Sequence, residues 1–572
     1  MGHALRLRDL WVVLGCALTY LGWVGPLVNR PILADETLIV ANATEPVNPG
    51  PLSTGHPPLH VDTMRMAGRI FGWRLHDFHW YGVGCMLVGL VLVVATAGRL
   101  HPHAGPLAAL LWTTHPLAIQ GSVVVDIDNT ILPVCLSAWV LLWLSRPWPW
   151  RRVDAWWMGL AFFVCLWAKV TTSLILPLAV LGYGIGRGQW RQGARAALAM
   201  TAIGSLVFAV AWWWYTWRYA FPALRIWEHL TSKFELGLGG DWLPGPVEWL
   251  NRFVRIALWF NPILLAMGGL IGWWLWRRRM VLGPPQAAIL WWIIGLVGIG
   301  YLAIRGLHFG FAKYHFPILP LLIALVSAGC LHAGFPTTRR HWAWLVLGAA
   351  VIAAYVALAC GDLLYLVNYR LRQALLFTPQ ERLGLLGQLL ARGTALLLPW
   401  VVGAFWLARK PLASGVRSWL LAGLVTLIGS NLATDLWQHT TRYSTTYNYG
   451  RSVPEMRRLI DWLSTYRSRY PTGYWLAPED VMFYLGLTYT GGYGTWWKPP
   501  FWNSPEVVAE GLGDPQTHGL VVSPTYHSAW THQQVFANPT VRSRLEDEYR
   551  PYRLGEYTIW VRRARQVPPG VS

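Results

Sequence analysis

Charge is what this chain has least of. Of its 572 residues only 13% are charged, and Asp and Glu together number 27 against 47 Lys and Arg. Soluble domains carry about 25% charged residues, so a wholly water-facing exterior is excluded. Cysteine is scarce too: Cys16, Cys85, Cys135, Cys165, Cys330 and Cys360 all lie within or at the edge of hydrophobic runs. No Cys-x-x-Cys occurs, which removes a disulfide framework and a zinc site from consideration. Also missing are a P-loop, a serine–histidine elbow, a zincin motif and any nucleotide-phosphate fingerprint. No internal repeat relates the two halves.

What is present is apolar sequence, 54% of the chain, with a mean hydropathy of +0.34. About thirteen runs have the length a bilayer demands. They centre on 10–27, 79–98, 104–120, 130–145, 153–168, 170–186, 198–217, 254–276, 286–304, 315–332, 342–360, 393–408 and 417–434. No small-residue cleavage site follows the first run, which reads as a retained helix rather than a signal peptide. Runs 153–168 and 170–186 are short and split around Lys169, so a single re-entrant hairpin is the alternative there. The expected fold is a polytopic α-helical membrane protein.

A net charge of +20 would suggest nucleic acid in a soluble protein. Here the arginines sit in short loops on one side: Arg6/Arg8, Arg99, Arg146/Arg151/Arg152, Arg187/Arg191/Arg195, Arg277 to Arg279, Arg339/Arg340 and Arg409/Lys410/Arg417. Positive charge in such loops marks the cytoplasmic face. This predicts a multi-pass membrane protein with a cytoplasmic N-terminus and no nucleic-acid partner. The 39 tryptophans fit interfacial belts against membrane lipids.

The opposite, extracytoplasmic face then receives the long segments 29–78, 218–253 and 361–392 and the tail from 436. We therefore expect a transmembrane domain over 1–435 and a small extracytoplasmic α/β domain over 436–572. In the loop 361–392, Thr378-Pro379-Gln380-Glu381 is a capping box, and Leu383, Leu386 and Leu390 form one face of a surface helix. In the tail, Ser452-Val453-Pro454-Glu455 caps a helix with Met456, Leu459, Ile460 and Leu463 on one face. β-prone runs follow at 474–477, 519–523 and 557–562, with a hairpin turn at Arg553–Tyr557.

Four places carry candidate chemistry. Asp35-Glu36 follows the first span by a few residues, where a membrane-edge carboxylate can serve as a base; a solvated loop is the plain alternative. His56 and His60, later in the same loop, could contact an anion or orient a carboxylate. Asp126 and Asp128, at i and i+2, could hold a divalent cation or substrate, or Asp128 or Asn129 could cap the next helix. Lys169 at bilayer depth must face protein, water or an anion unless it snorkels. Arg305, Lys313, Tyr314 and His315 form a cationic cluster at the outer edge, fit for a phosphate or for lipid head groups.

Carboxylates and cations converging on one membrane face suit displacement of a phosphate leaving group. In this order the motifs resemble a family. Asp35-Glu36, His56-Pro57-Pro58-Leu59, His115-Pro116, Asp126-Ile127-Asp128, Gly159-Leu160-Ala161 to Lys169 and Lys313-Tyr314-His315-Phe316-Pro317 are similar to segments of GT-C-type glycosyltransferases. The group contains the protein O-mannosyltransferases and the lipid A aminoarabinose transferases. The resemblance covers residues 1–330 by motif.

It implies a GT-C-like fold and inverting transfer of a monosaccharide from a polyprenyl-phosphate donor to a lipid, glycan or protein acceptor outside the cytoplasm. It also implies that Asp35 is the base or acceptor-positioning carboxylate with Glu36 in support. Lys169 and the Lys313–Tyr314 segment would then lie near the donor phosphate. Metal need varies in the superfamily, so a divalent cation at Asp126 and Asp128 stays open. Thr37-Leu38 stands where the aminoarabinose transferases commonly have a basic residue, and His56 stands for their lysine. The competing classes are a polytopic transporter or lipid flippase and a non-catalytic assembly factor.

Overall fold

A computed structural model describes residues 7–28, 32, 35–44, 56–73, 75–219, 224, 226–227, 246–303, 312–335, 339–370, 378–409, 415–440, 453–470, 472–477, 505–522, 536–555 and 557–565. Helices dominate. In chain order they are α1 (Leu7–Val24), α2 (Asp35–Thr44), α3 (Leu59–Phe71), α4 (His79–Leu100), α5 (Ala104–Thr113), α6 (Pro116–Ser122), α7 (Ile131–Ser145), α8 (Arg152–Ala168), α9 (Val170–Ser173), α10 (Ile175–Gly186) and α11 (Trp190–Arg218). There follow α12 (Pro246–Trp259), α13 (Pro262–Arg278), α14 (Ile289–Ala303), α15 (Leu319–His332), α16 (Arg339–Cys360), α17 (Pro379–Ala408) and α18 (Gly415–Thr440).

Every expected span is helical, but not every one is long. Among the described residues eight helices are long and apolar enough to cross a membrane, or nine if α12 and α13, bent by 90°, count as one broken span. The shortfall from thirteen has local causes. Run 104–120 is cut at His115, whose ring Nδ1 accepts from the Leu117 N–H while Pro116 opens α6. Run 170–186 is cut after Ser173, and run 254–276 turns at Asn261, a non-glycine residue with φ 64°. Lys169 adopts extended φ and ψ between α8 and α9, so the lysine itself marks the break.

The chain divides into two compact units. The first comprises Met1–Asn29, Asn42–Gly361 and Gly393–Leu436. Its centre is α15, where Leu319 to Leu331 are all buried, packed on α4, α5 and α13. The outward faces of its spans keep large apolar side chains such as Leu198, Trp213 and Trp217, the surface that lipid covers.

The second unit comprises Arg30–Ala41, Asp362–Arg392 and Trp437–Ser572. Its tail holds α19 (Val453–Arg469), β1 (Tyr474–Leu476), α20 (Pro505–Gly513), β2 (Thr517–Val522), α21 (Pro539–Glu548), β3 (Tyr549–Leu554) and β4 (Tyr557–Arg562). The strands form one sheet in the order β1-β2-β4-β3, parallel between β1 and β2 and otherwise antiparallel. Alternation along β4 (Tyr557, Ile559, Val561 buried) packs one face on Met456, Leu459 and Leu463 of α19. The β3–β4 hairpin turns at Gly555, φ 60°, where a Cβ would fall on the Glu455 carboxylate.

The Thr378 capping box forms as expected. The Thr378 N–H donates to Glu381 Oε2 at 2.8 Å, and the Glu381 N–H donates to Thr378 Oγ1 at 3.3 Å. The helix it starts does not end as a separate surface helix. It runs unbroken through the expected span to Ala408, because no glycine cap or proline at a helix start interrupts it, and Pro399 lies inside it.

Candidate active site

The site begins at a turn rather than a helix. Between α6 and α7, residues Val123–Thr130 fold on themselves, with the Asp128 N–H donating to Asp126 Oδ1 at 3.0 Å and the Thr130 hydroxyl donating to the Asp126 carbonyl at 2.7 Å. Val123, Val124 and Val125 are buried, which fixes the turn inside the helix bundle. Gly121 lets the Phe316 ring approach closely just before it, since a Cβ there would stand 3.0 Å from that ring. The 3-10 segment Ala312–Ile318 thereby closes onto the turn.

Two lysines from distant segments meet the turn. Lys169 donates to both oxygens of Asp128, at 2.7 Å to Oδ1. Lys313 donates to Asp126 Oδ2 at 2.9 Å. All four side chains are at least nine-tenths buried. The two ammonium groups share one ring: Lys169 Nζ lies 5.0 Å and Lys313 Nζ 5.3 Å from the Tyr314 centroid. Tyr314 stacks at 5.5 Å on Tyr301, whose hydroxyl bonds Thr172 beyond the Lys169 break. Buried charges demand such pairing, since an isolated one would cost several kcal/mol. Burial pushes the Asp126 carboxyl up, but Lys313 and Lys169 outweigh it and hold the group below its ordinary range.

These contacts bear on two readings of Asp126 and Asp128. Neither Asp128 nor Asn129 caps α7; Thr130 holds that position, without a side-chain cap bond. A divalent cation would have to displace ammonium groups from both carboxylates, and among the described residues no group of three His, Cys, Asp or Glu could hold a metal. Lys169 does not snorkel either, being 4% exposed.

The histidine that reaches this turn is His60. Its Nδ1 lies 3.3 Å from Thr130 Oγ1, and its ring sits 5.5 Å from that of Tyr81. Because the Thr130 proton is committed to the Asp126 carbonyl, Nδ1 carries the ring hydrogen and Nε2 is left as a bare acceptor. Burial pushes this imidazole down to about 4, with Asp126 pulling the other way. His56 is half-buried in the turn preceding α3. Arg305 lies outside the described residues.

Asp35 and Glu36 open α2 rather than lying in an irregular loop. Backbone N–H groups favour negative charge at such a position. Glu36 is buried at 2% exposure. Both belong to the second unit, whereas the lysines belong to the first.

Sequence reasoning missed a further cation. The buried face of α12 carries Arg252, Arg255, Ile256 and Trp259, and α12 packs against the segment that bears Lys313. Arg255 is 3% exposed and makes no hydrogen bond or ion pair with any described residue. The signal was available: two arginines at i and i+3 on the same face as Ile256 and Trp259. It was hidden by the boundary between a loop ending at 253 and a span starting at 254. Behind the corner, His115 Nε2 lies 3.2 Å from the Phe260 carbonyl and ties α12 to the α5–α6 break.

No protein-family profile matches the chain, and no curated protein matches it by sequence. Solved structures do. The crystal structure of ArnT from Cupriavidus metallidurans bound to undecaprenyl phosphate is similar with a TM-score of 0.51 and 16% identity, over 98% of this chain and 99% of that one. The apo form of the same protein gives a TM-score of 0.52 and 15% identity, over 99% and 100%. ArnT is a GT-C-fold lipid A aminoarabinose transferase. The likeness is one of fold, and the fold of this chain is the GT-C fold.

Proposed function

We propose that the chain is an inverting glycosyltransferase that moves a monosaccharide from a polyprenyl-phosphate donor to a lipid, glycan or protein acceptor. One observation carries the reading: Arg255 is a buried guanidinium that meets no carboxylate among the described residues, and its helix packs against the segment that bears Lys313, one of two lysines that flank one tyrosine. Asp126 and Asp128 already neutralise the two lysines, so Arg255 adds positive charge that a phosphate would balance. That ArnT was crystallised with undecaprenyl phosphate supports this choice of anion.

In this mechanism the acceptor hydroxyl or amine attacks the anomeric carbon from the face opposite the phosphate. The carbon–oxygen bond to phosphate breaks, and the bonding pair leaves with the polyprenyl phosphate, stabilised by Arg255 and the lysines. Asp35 takes the proton from the attacking group, and Glu36 supports it. His56 and Arg305 are secondary candidates for the phosphate. The reaction is assigned to the extracytoplasmic face of the bacterial inner membrane, with the N-terminus cytoplasmic and the tail outside, on the alternation of basic loops.

The test is sugar transfer from a lipid-phosphate donor by purified chain and its Asp35→Asn variant. Loss of about a hundredfold or more in turnover is expected for a general base, and near-wild-type turnover removes Asp35 from that role. The purified chain in proteoliposomes decides against the rival: movement of a labelled lipid with no covalent product makes the chain a transporter or flippase.

A further inference from the structure

The hairpin between α13 and α14 encloses a cavity of about 380 Å³, away from the Lys–Tyr–Lys site, that is half open to the outside. Leu275, Trp276, Met280, Ala288 and Trp291 form its walls and Leu325 of α15 its floor. Every lining residue is apolar or glycine, and apart from the indoles of Trp276 and Trp291 no side chain there offers a hydrogen bond to a sugar, a nucleotide or a peptide backbone. The volume falls within the range of small-molecule sites. An apolar tail is what such walls accept.

The rim has a different character. Arg277, Arg278 and Arg279 continue directly from the wall residue Trp276 and are all exposed. Arg277 lies over the Trp273 ring and Arg278 over the Trp274 ring, each at 5.4 Å from the centroid. Among the described residues none of the three arginines has a carboxylate partner. Trp274 also meets His332 at 5.7 Å, and the turn at Gly283 sits against the backbone of Arg99 and Leu100. Arg99 is exposed as well. A basic rim without acids, one residue from an apolar notch, matches a ligand with an anionic head and a hydrocarbon tail.

We propose that this notch holds an acyl chain of an anionic glycerophospholipid, with its head-group phosphate on Arg277 to Arg279. A zwitterionic lipid would bring its own ammonium to the arginines and lose much of the attraction, since each basic side chain at a membrane surface draws anionic lipid. The tryptophans fix the depth, as aromatic belts do at the interface. The site is independent of the proposed sugar transfer and stands whether or not that reading does.

Photo-crosslinking of the full chain in neutral bilayer nanodiscs tests it. The discs carry a trace of phosphatidylglycerol or phosphatidylcholine bearing a diazirine on one acyl chain, and labelled peptides are read by mass spectrometry. The phosphatidylglycerol probe should label residues 272–291 about tenfold more than the phosphatidylcholine probe. Changing Arg277, Arg278 and Arg279 to Gln should equalise the two. Those arginines also set topology, so Ala288→Phe serves as a second variant that leaves all charge in place: filling the notch should remove labelling there and spare other sites. Equal labelling of the unaltered chain by both probes overturns the proposal, as does a notch unaffected by Ala288→Phe. Displacement of the probe by equimolar undecaprenyl phosphate but not by unlabelled phosphatidylglycerol would also overturn it, by assigning the notch to a polyprenyl carrier.

Discussion

Lys169→Met removes one ammonium from a pair in which both partners are about 95% buried. The methionine fills much the same space, so packing changes little. What changes is Asp128, left as a carboxylate that keeps one close neighbour of its own sign, Asp126, and loses the group that both its oxygens accept from. Breaking a buried pair by removing one partner costs about 3–5 kcal/mol. Asp128→Asn alone strands the lysine instead and should cost a similar amount, somewhat less because Tyr314 still faces Nζ.

The double variant strands neither group, and replacing a buried pair by neutral residues of similar volume is often close to neutral. The two single losses should therefore fail to add by nearly their whole sum, about 6–9 kcal/mol. Thermal unfolding of the four proteins in one detergent, followed by size-exclusion chromatography, measures the coupling. Sugar transfer by the double variant then separates structure from chemistry. If Lys169 serves only to hold the turn, activity returns with stability. If it also draws the departing phosphate, the double variant is stable and slow. A Lys169→Met protein as stable as the parent would refute the buried pair itself, and with it the basis of the site.

Arg255→Gln should raise the donor KM and lower turnover by about tenfold or more, with Arg255→Lys recovering part of both, because a charge-assisted contact to phosphate tolerates an ammonium imperfectly; unchanged donor kinetics would free the guanidinium from that role. His60 is held near 4 when folded and titrates near 6.5 when unfolded, so below pH 6.5 the unfolded chain binds the extra proton and stability falls as pH drops toward 4. The loss attributable to it by pH 4 is about 3 kcal/mol, and His60→Asn should flatten that part of the Tm-against-pH curve. Gly555→Ala puts a methyl group onto Glu455 at a positive φ and should destabilise the tail by more than about 1 kcal/mol, read as increased proteolysis of the tail with the transmembrane helices left intact.

Much of the fold was legible because hydrophobic length is a coarse signal. The positions of all thirteen apolar runs are helical, and the β-prone runs at 474–477, 519–523 and 557–562 correspond to β1, β2 and β4. The breaks were legible less evenly. Pro116 and Lys169 announce themselves, whereas the 90° corner at Asn261 rests on tertiary contacts: its amide donates to Ser430 Oγ and Asn431 Oδ1 of α18, partners 169 and 170 residues away. The strand β3, Tyr549–Leu554, reads as Tyr-Arg-Pro-Tyr-Arg-Leu, with only its ends buried. It is an edge strand, where proline and arginine are tolerated, and its pattern carries no alternation to find.

The site divides along the same line between local and distant information. That Asp126, Asp128, Lys169 and Lys313 are too costly to leave unused at or near the membrane follows from each residue by itself. That they neutralise one another does not, because the partners are 41 and 187 residues apart. Read singly, the lysines looked like free cations awaiting a phosphate and the aspartates like ligands awaiting a metal. Joined, they form a neutral set around the Tyr314 ring, and among the described residues the buried cation without a carboxylate is Arg255, on a helix that begins in polar sequence and continues into an apolar run. A buried charge in a membrane protein therefore marks a functional region more dependably than it names the group that acts. On the proposed function the acting cation is Arg255, which meets no carboxylate among the described residues.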